Sequence, residues 1–387
     1  MKIIADENIP CVQQAFSTLG EVILLPGRQL CADDVRDADI LLVRSVTKVG
    51  RELLEGSNVC FVGSATIGFD HIDRDYLQQQ NIGFATAPGS NATSAAEYVV
   101  SAVLALAERD GFDPAEKKVG IIGCGNVGSR VLQKLSALGM HCLVNDPPLQ
   151  AQGGHDEFVD LEEILQTDII TLHVPLTKSG EYPTFHLVDG VFIGKLRPGA
   201  ILINTARGSV IDNRALARAL SERTDLSVVL DVWEGEPAID TALLEKVAFG
   251  TPHIAGYSLE GKLRGTEMIY TAACAHFGLP IRWSAEGELP ARRPLELDEP
   301  GAKDLLQAVS RAVFHSYDVR NDDAQLRRLS LLTPEQQKAG FDALRKEYPV
   351  RHEFQCTTVI PGGMNDGLNY TLRNIGFDIP SGTPCTT

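Results

Sequence analysis

The sequence predicts an α/β protein built on two successive parallel sheets, with a small α+β segment at its C-terminal end. Three observations carry this. Short apolar runs alternate with longer amphipathic stretches, the pattern of parallel strands joined by crossover helices. A long alanine-rich stretch, residues 91–109, separates one such series from a second. Beyond about Trp283 the texture shifts to prolines among charges.

In the first series, strands are predicted over residues 2–5, 22–25, 40–43, 59–62 and 82–84, with helices over 12–19 and 74–80. Residues 91–109 read as one helix that is apolar along most of its length, the composition expected of a helix buried between two domains. Gly111-Phe112-Asp113-Pro114 ends it. Strands of the second series fall at 118–122, 140–145, 168–172, 200–204 and 227–230, with helices over 126–138, 161–166 and 213–221. Asp160 and Glu163 have the spacing of a capping box before the second of these helices. Residues 285–300, with Pro290, Pro294 and Pro300, read as a linker. Past it, Leu305, Leu306, Val309 and Val313 mark a helix, and Leu368 with Leu372 marks another. Phe354, Cys356, Thr358 and Ile360 alternate as a half-exposed strand does.

Composition narrows the function classes. The 387 residues are 44% hydrophobic, 22% charged and 6% aromatic, as in a soluble globular protein. The net charge of −16 disfavours non-specific contact with nucleic acid or an anionic membrane, so an anionic substrate requires a local basic pocket. No apolar run has the length of a membrane span, and Asp6 and Glu7 interrupt the N-terminal apolar residues where a signal peptide would continue. The eight cysteines, at 11, 31, 60, 124, 142, 274, 356 and 385, form no closely spaced pair. The expectation is a cytoplasmic protein with reduced thiols and no metal site.

Gly123-Cys124-Gly125-Asn126-Val127-Gly128 follows a predicted strand and opens a helix with Val127, Val131, Leu135 and Leu138 on one face. That is the context a dinucleotide fingerprint requires. The first glycine permits the tight turn, the second lets backbone approach a pyrophosphate, and the third lets helix pack on strand. The helix N-terminus adds amide donors and a positive dipole. Asp146, at the end of the next strand, can accept from both ribose hydroxyls and would repel a 2′-phosphate. No Lys or Arg between Met140 and Gln150 reverses that preference, so the expected cofactor is NAD.

Downstream, Asn204-Thr205-Ala206-Arg207-Gly208, Asp231-Val232-Trp233-Glu234-Gly235-Glu236-Pro237 and Thr251-Pro252-His253-Ile254-Ala255-Gly256 each follow a strand end, where open α/β sheets hold their ligands. Oxidising a hydroxy acid needs a base for the hydroxyl proton, a cation for the carboxylate and a group that orients the base. His253, Arg207 and Glu236 match those needs. At other strand ends stand Arg44, Ser45 and Lys48, with Ser64 and Thr66 in the 63–68 loop. Tyr257 follows His253 closely enough to share its ligand.

These blocks, in this order, resemble the D-isomer-specific 2-hydroxyacid dehydrogenase family over about residues 1–280. The resemblance implies two Rossmann-like domains with parallel sheets and a small C-terminal α+β dimerisation domain. Residues 1–92 and 257–282 would form a substrate (lid) domain, 93–256 the NAD-binding domain and 283–387 the dimerisation domain, with the active site in the interdomain cleft. It implies that Arg207, Glu236 and His253 are catalytic. Gly123, Gly125, Asn126, Val127, Gly128, Asp146, Thr205, Ala206, Arg207, Asp231 and Gly256 would contact NAD, and Arg44, Ser45, Thr66 and Tyr257 the substrate. Within the family, Arg44-Ser45-Val46-Thr47-Lys48, Trp233, the 253–262 segment, residues 179–186 and Tyr317-Asp318-Val319-Arg320-Asn321-Asp322-Asp323 resemble the branch that oxidises 4-phospho-D-erythronate for vitamin B6 synthesis. A homodimer follows from the same resemblance. One position departs from it: Val174 stands where relatives often carry threonine, which removes a hydroxyl contact to NAD. Two other readings of the same motifs stay open, a phosphoglycerate dehydrogenase-like enzyme and a non-catalytic NAD-sensing protein of this fold.

Overall fold

The computed structural model describes residues 1–153, 158–297, 305–362 and 366–380; Pro300 and Cys385 lie outside them. The chain divides into two compact units, Met1–Ala92 with Ser258–Ala291 and Thr93–Tyr257 with Arg292–Thr387. No helix among the described residues is long and apolar enough to cross a membrane.

In the first unit, β1 (Lys2–Asp6), β2 (Glu21–Leu25), β3 (Ile40–Val43), β4 (Phe61–Ser64) and β5 (Gly83–Ala85) form a parallel sheet of order β2-β1-β3-β4-β5. β3 and β4 are buried along their whole length, which is why they read as unbroken apolar runs rather than alternating ones. The helix Leu259–Phe277 returns to this sheet. Its Ile269, Tyr270 and Ala273 pack with Ile3, Phe16 and Phe61, and the Tyr270 hydroxyl pairs with Thr18 at 2.9 Å.

In the second unit, β6 (Lys118–Ile122), β7 (His141–Asn145), β8 (Ile169–Leu172), β9 (Ile201–Asn204), β10 (Ser227–Leu230) and β11 (Phe249–Gly250) form a parallel sheet of order β11-β10-β9-β8-β6-β7. The helix Ala92–Asp110 is buried from Ala95 to Ala107, as its all-round apolar composition requires. The helix Asn126–Ala137 buries Gly128, Val131, Lys134 and Leu135. Asp160 does not cap the helix Leu161–Ile164 with its side chain, so the expected capping box is absent there.

The C-terminal segment packs within this second unit. The 285–300 stretch is not all linker: Arg293–Leu297 forms β12, which pairs in parallel with β13 (Thr357–Pro361). Pro294 is tolerated because this sheet has two strands and leaves each with an unpaired edge. Two further helices, Val319–Arg328 and Pro334–Lys346, had no counterpart in the sequence reading. Phe354 and Cys356, expected in a strand, form a short 3-10 turn ahead of β13. A buried ionic cluster anchors the segment. Arg351 donates to the Ser94 carbonyl at 2.8 Å and the Ala255 carbonyl at 3.1 Å, and Glu97 accepts from the Phe354 amide at 3.1 Å and from Lys134 at 3.4 Å. Burial, reinforced by Glu353, pushes Glu97 up to about 7 against the pull of Lys134 and Arg351.

Candidate active site

Strand register assembles the site of the second unit. Ile122 lies beside Asn145 and Leu172, Leu172 beside Asn204, Asn204 beside Leu230 and Leu230 beside Gly250. The residues that follow each strand, Gly123, Asp146, His173, Thr205, Asp231 and Thr251, therefore emerge along one carboxyl edge. The order of strands reverses between β6 and β8, which places the crevice for a ligand beside the Gly123 turn.

That turn has no room for side chains where backbone must be close. Gly123 has φ +90°, and a Cβ on Gly128 would lie 1.9 Å from the Gly123 carbonyl oxygen. Gly125 and Asn126 are exposed, and a Cβ on Gly125 would meet nothing within 4 Å. The surface left bare is the amide end of the Asn126–Ala137 helix, with Val127 half-buried behind it. Asp146 stands across from it, accepting from the Cys124 amide at 2.7 Å and the Leu149 amide at 3.0 Å. A carboxylate has about four lone-pair sites, so acceptor capacity remains for ribose hydroxyls. Val174 carries its Cγ1 to 2.9 Å from the Cβ position of Gly123, an apolar contact where a hydroxyl was expected in relatives. An open amide terminus, a glycine turn and a free-sided carboxylate fit a dinucleotide.

The acid–base pair is formed. His253 Nδ1 lies 2.7 Å from Glu236 Oε2, while Glu236 Oε1 accepts the Trp233 amide at 2.8 Å. Burial alone would raise the Glu236 carboxyl. The charge and hydrogen bond of His253, the Trp233 amide and the charge of Arg345 outweigh it and hold the group below the usual glutamate range. With Nδ1 engaged, Nε2 is the nitrogen that can meet a ligand. Arg207 is positioned by its loop: Asn204 donates to the Arg207 carbonyl at 3.0 Å and accepts the Ala206 amide at 3.0 Å. Gly208 lies so close to the Trp233 carbonyl group that a Cβ would stand 2.0 Å from it, which fixes the Arg207 loop against the Glu236 segment.

Asp231, expected at the cofactor, is only 1% exposed and serves as the brace of the histidine loop. Its carboxylate accepts the Thr251 hydroxyl at 2.7 Å and the amides of Ile254 and Ala255 at 2.7 and 2.9 Å. Gly256 and Tyr257 continue that loop, and the Tyr257 amide donates to the Ile254 carbonyl at 2.7 Å. Thr205 reaches His173 Nδ1 at 3.3 Å, and Thr171 reaches its Nε2 at 2.9 Å; Ala206 is buried beside Thr205. Burial pushes His173 down to about 3, so it is a neutral, fixed element of the edge. Sequence reading passed over Thr251, His173 and Arg345. A strand-ending Asp followed by a Thr-Pro-His block was the available signal for Thr251; nothing local marked the others.

The first unit carries Arg44, Ser45 and Thr66 at the carboxyl ends of β3 and β4, whose last residues Val43 and Ser64 are paired in register. Thr66 Oγ1 shares a 2.7 Å bond with Ser64 and donates to the Gly68 carbonyl, and Ser45 is exposed. Lys262, on the first turns of the Leu259–Phe277 helix, is held below its usual range by burial and by the charge of Arg44, which places two cations near one another.

The family model for the NAD binding domain of D-isomer specific 2-hydroxyacid dehydrogenases matches residues 87–255, and one for a domain of unknown function matches 289–376. An erythronate-4-phosphate dehydrogenase of Hahella chejuensis is 48% identical over 98% of this chain and 100% of its own length. One from Ectopseudomonas mendocina is 50% identical over 97% of this chain and 99% of its own. Among solved structures, an NAD+-bound 3-phosphoglycerate dehydrogenase of Entamoeba histolytica aligns with TM-score 0.62 at 27% identity, covering 72% of this chain and 95% of that one. A D-lactate dehydrogenase of Aquifex aeolicus, complexed with NAD and lactic acid, aligns with TM-score 0.58 at 26% identity, covering 72% and 96%.

Proposed function

This chain belongs to the erythronate-4-phosphate dehydrogenases, NAD-dependent members of the D-isomer-specific 2-hydroxyacid dehydrogenases, and we propose that it oxidises 4-phospho-D-erythronate at C2 to 2-oxo-3-hydroxy-4-phosphobutanoate in vitamin B6 synthesis. The observation that carries the reaction type is the 2.7 Å His253–Glu236 pair on the same edge as the glycine turn and Asp146. NAD, when bound, supplies the acceptor for the hydride that leaves C2.

The chain's own residues do the rest. His253 Nε2 takes the C2 hydroxyl proton, and Glu236 fixes the ring's orientation and stabilises the imidazolium that results. Arg207 grips the substrate carboxylate through its planar fork. Gly123, Gly125, Asn126, Val127 and Gly128 receive the pyrophosphate on backbone, and Asp146 holds the ribose hydroxyls. Thr205, Ala206, Arg207 and Gly256 line the nicotinamide side, with Asp231 shaping the loop that presents Gly256. Arg44, Ser45, Thr66 and Tyr257 bind the polyhydroxy, phosphorylated body of the substrate.

The protein acts as a homodimer in the cytoplasm in this reading, with its C-terminal segment as the subunit contact. Exposed apolar side chains there, Ile360 at 42% and Tyr370 at 65%, support the first point. The free state of Cys11, Cys31, Cys60, Cys124, Cys142, Cys274 and Cys356 supports the second.

The test is NADH formation with 4-phospho-D-erythronate beside 3-phosphoglycerate and D-lactate, with and without a 2-oxo acid to reoxidise retained NADH. Selective turnover of the phosphoerythronate is the expected result. Preference for 3-phosphoglycerate would overturn the substrate, and binding of NAD with no turnover of any acid would overturn the activity.

A further inference from the structure

The second unit holds a cation whose guanidinium nitrogen Nε is buried without a hydrogen-bond partner. Arg345 lies in the last turn of the helix Pro334–Lys346, inside the segment matched by a domain of unknown function. Its guanidinium makes no hydrogen bond or ion pair among the described residues, and its Nε is buried without a partner. It faces the Tyr257 ring, whose centroid is 5.9 Å away. That is the outer limit of a cation–π contact and does not satisfy an N–H. The same charge acts on Glu236, which places it on the side of the acid–base pair.

Aromatic packing and hydrogen bonds order its surroundings. Tyr257 packs edge-on against Tyr348 with centroids 5.7 Å apart, and the Tyr348 hydroxyl donates to Asp322 at 2.7 Å. Asp322 also accepts from Tyr317 at 2.9 Å, so that carboxylate is engaged by two tyrosines. A guanidinium held beside the Tyr257 ring, with its buried Nε unmet, can receive anionic oxygens from a ligand through its planar fork. In a chain of net charge −16, such a cation is also a local basic feature of the kind an anionic substrate needs.

The geometry points to Arg345 as a specificity-determining residue that the C-terminal segment lends to the active site, binding the phosphate of the substrate together with Tyr257. This rests on the reading that 4-phospho-D-erythronate is the substrate. Arg207 already answers the carboxylate next to the reacting carbon, so the phosphate at the far end is the anion left for Arg345, which joins Arg44 in reading the phosphorylated body of the substrate. On this assignment the C-terminal segment takes part in substrate choice.

The experiment compares the wild-type full-length protein with Arg345→Met and Arg345→Lys. KM is measured for 4-phospho-D-erythronate, and D-erythronate, which lacks only the phosphate, is measured as substrate or competitive inhibitor. The NAD dissociation constant and the thermal midpoint serve as controls for cofactor contact and folding. Arg345→Met should lower the preference for the phosphorylated compound by roughly 10- to 100-fold, the range of a lost hydrogen bond to a charged group. Arg345→Lys should fall between it and wild type, because a point charge replaces a fork. Equal weakening of both ligands would overturn the proposal in favour of carboxylate binding, and weakening of NAD alone in favour of a cofactor contact. An unchanged preference in a folded variant would remove Arg345 from the site. If the wild type fails to oxidise 4-phospho-D-erythronate, the substrate reading itself falls, and this inference with it.

Discussion

Glu236→Gln replaces the carboxylate that faces His253 Nδ1 at 2.7 Å and the Trp233 amide at 2.8 Å. The carboxylate accepts from both. Glutamine offers a single oxygen and turns an NH2 toward the other donor, so one of the two bonds is lost. A hydrogen bond to a charged group contributes roughly 1.5–3 kcal/mol. The side chains of His253 and Glu236 are 33% and 19% exposed, so solvent screens the pair. The lower end, about 1.5 kcal/mol, is therefore the figure to use. At about 1.4 kcal/mol per pH unit, that is a displacement of about one unit. The sign follows from the chemistry: His253 must be neutral to take the hydroxyl proton, so oxidation fails on the acid side as the ring protonates. Removing the negative charge makes the protonated ring less stable, and the acidic limb moves to lower pH. Glu236 itself is held below its usual range and stays ionised across that limb. The assay is the pH profile of kcat/KM for NADH formation in both proteins. A limb that stays in place in a variant that folds and binds NAD normally would refute the pairing as the basis of proton transfer.

His253→Asn should lower kcat by about 10²- to 10⁴-fold, the contribution of a positioned base, while fluorescence titration shows NAD binding retained. Arg207→Lys should raise KM for the substrate by roughly 10- to 100-fold, measured by steady-state kinetics, since an ammonium cannot grip a carboxylate at two points. Asp146→Ala should shift the kcat/KM ratio of NADP to NAD upward by about tenfold or more, as it removes both a ribose acceptor and the charge that repels a 2′-phosphate. His173 is held down to about 3 by burial, so the unfolded chain takes up a proton that the folded one refuses. Its contribution to stability is therefore complete at neutral pH and is lost as pH falls below the unfolded value of about 6.5, by about 2 kcal/mol at pH 5. Urea melts at pH 7 and pH 5 should show a smaller loss on acidification for His173→Gln than for wild type.

The strands were legible because buried parallel strands are written in consecutive apolar residues. Ile40–Val43, Lys118–Ile122 and Ser227–Leu230 have the bounds the sequence suggests. The C-terminal helices were not, and the reason lies in what they bury. Val319–Arg328 buries Val319, Asp322 and Leu326, so the inward stripe has the right spacing but an aspartate in the middle of it. That aspartate is acceptable inside because Tyr317 and Tyr348 donate to it and the charge of Arg351 favours it, and both Tyr348 and Arg351 lie beyond the next helix. Pro334–Lys346 buries Phe341 alone and offers no apolar period to read. At the site, Glu236, His253 and Arg207 could be found because their residue types and their place after strands match the chemistry. Arg345 could not, because an arginine near the end of a charged helix looks solvated until the fold sets Tyr257 beside it.

The same distinction explains why Asp231 matters more as a support than its place in the sequence suggests. His253 sits at φ +57°, a left-handed conformation that costs a non-glycine residue roughly 1–2 kcal/mol. Such a conformation persists only where its surroundings over-determine it. Here the His253 amide donates to the Asp231 carbonyl at 2.7 Å, while the next two amides close on the Asp231 carboxylate. Thr251 locks the other side, donating to Asp231 and pairing with the buried Tyr98 hydroxyl at 2.8 Å, while its carbonyl accepts the Trp233 indole at 3.0 Å. Tyr98 belongs to the buried helix Ala92–Asp110, so the strained histidine is tied to a helix inside the core of the unit. The backbone of His253 is set by this brace, and Glu236 orients the ring from there and stabilises the imidazolium. Loosening the brace should therefore cost activity through the position of His253 rather than through its chemistry. Thr251→Val, which keeps the shape and deletes the hydroxyl, should lower kcat while leaving the acidic limb of the pH profile where it is. A limb that moved with Thr251→Val would show that the brace tunes the base and does not merely hold it.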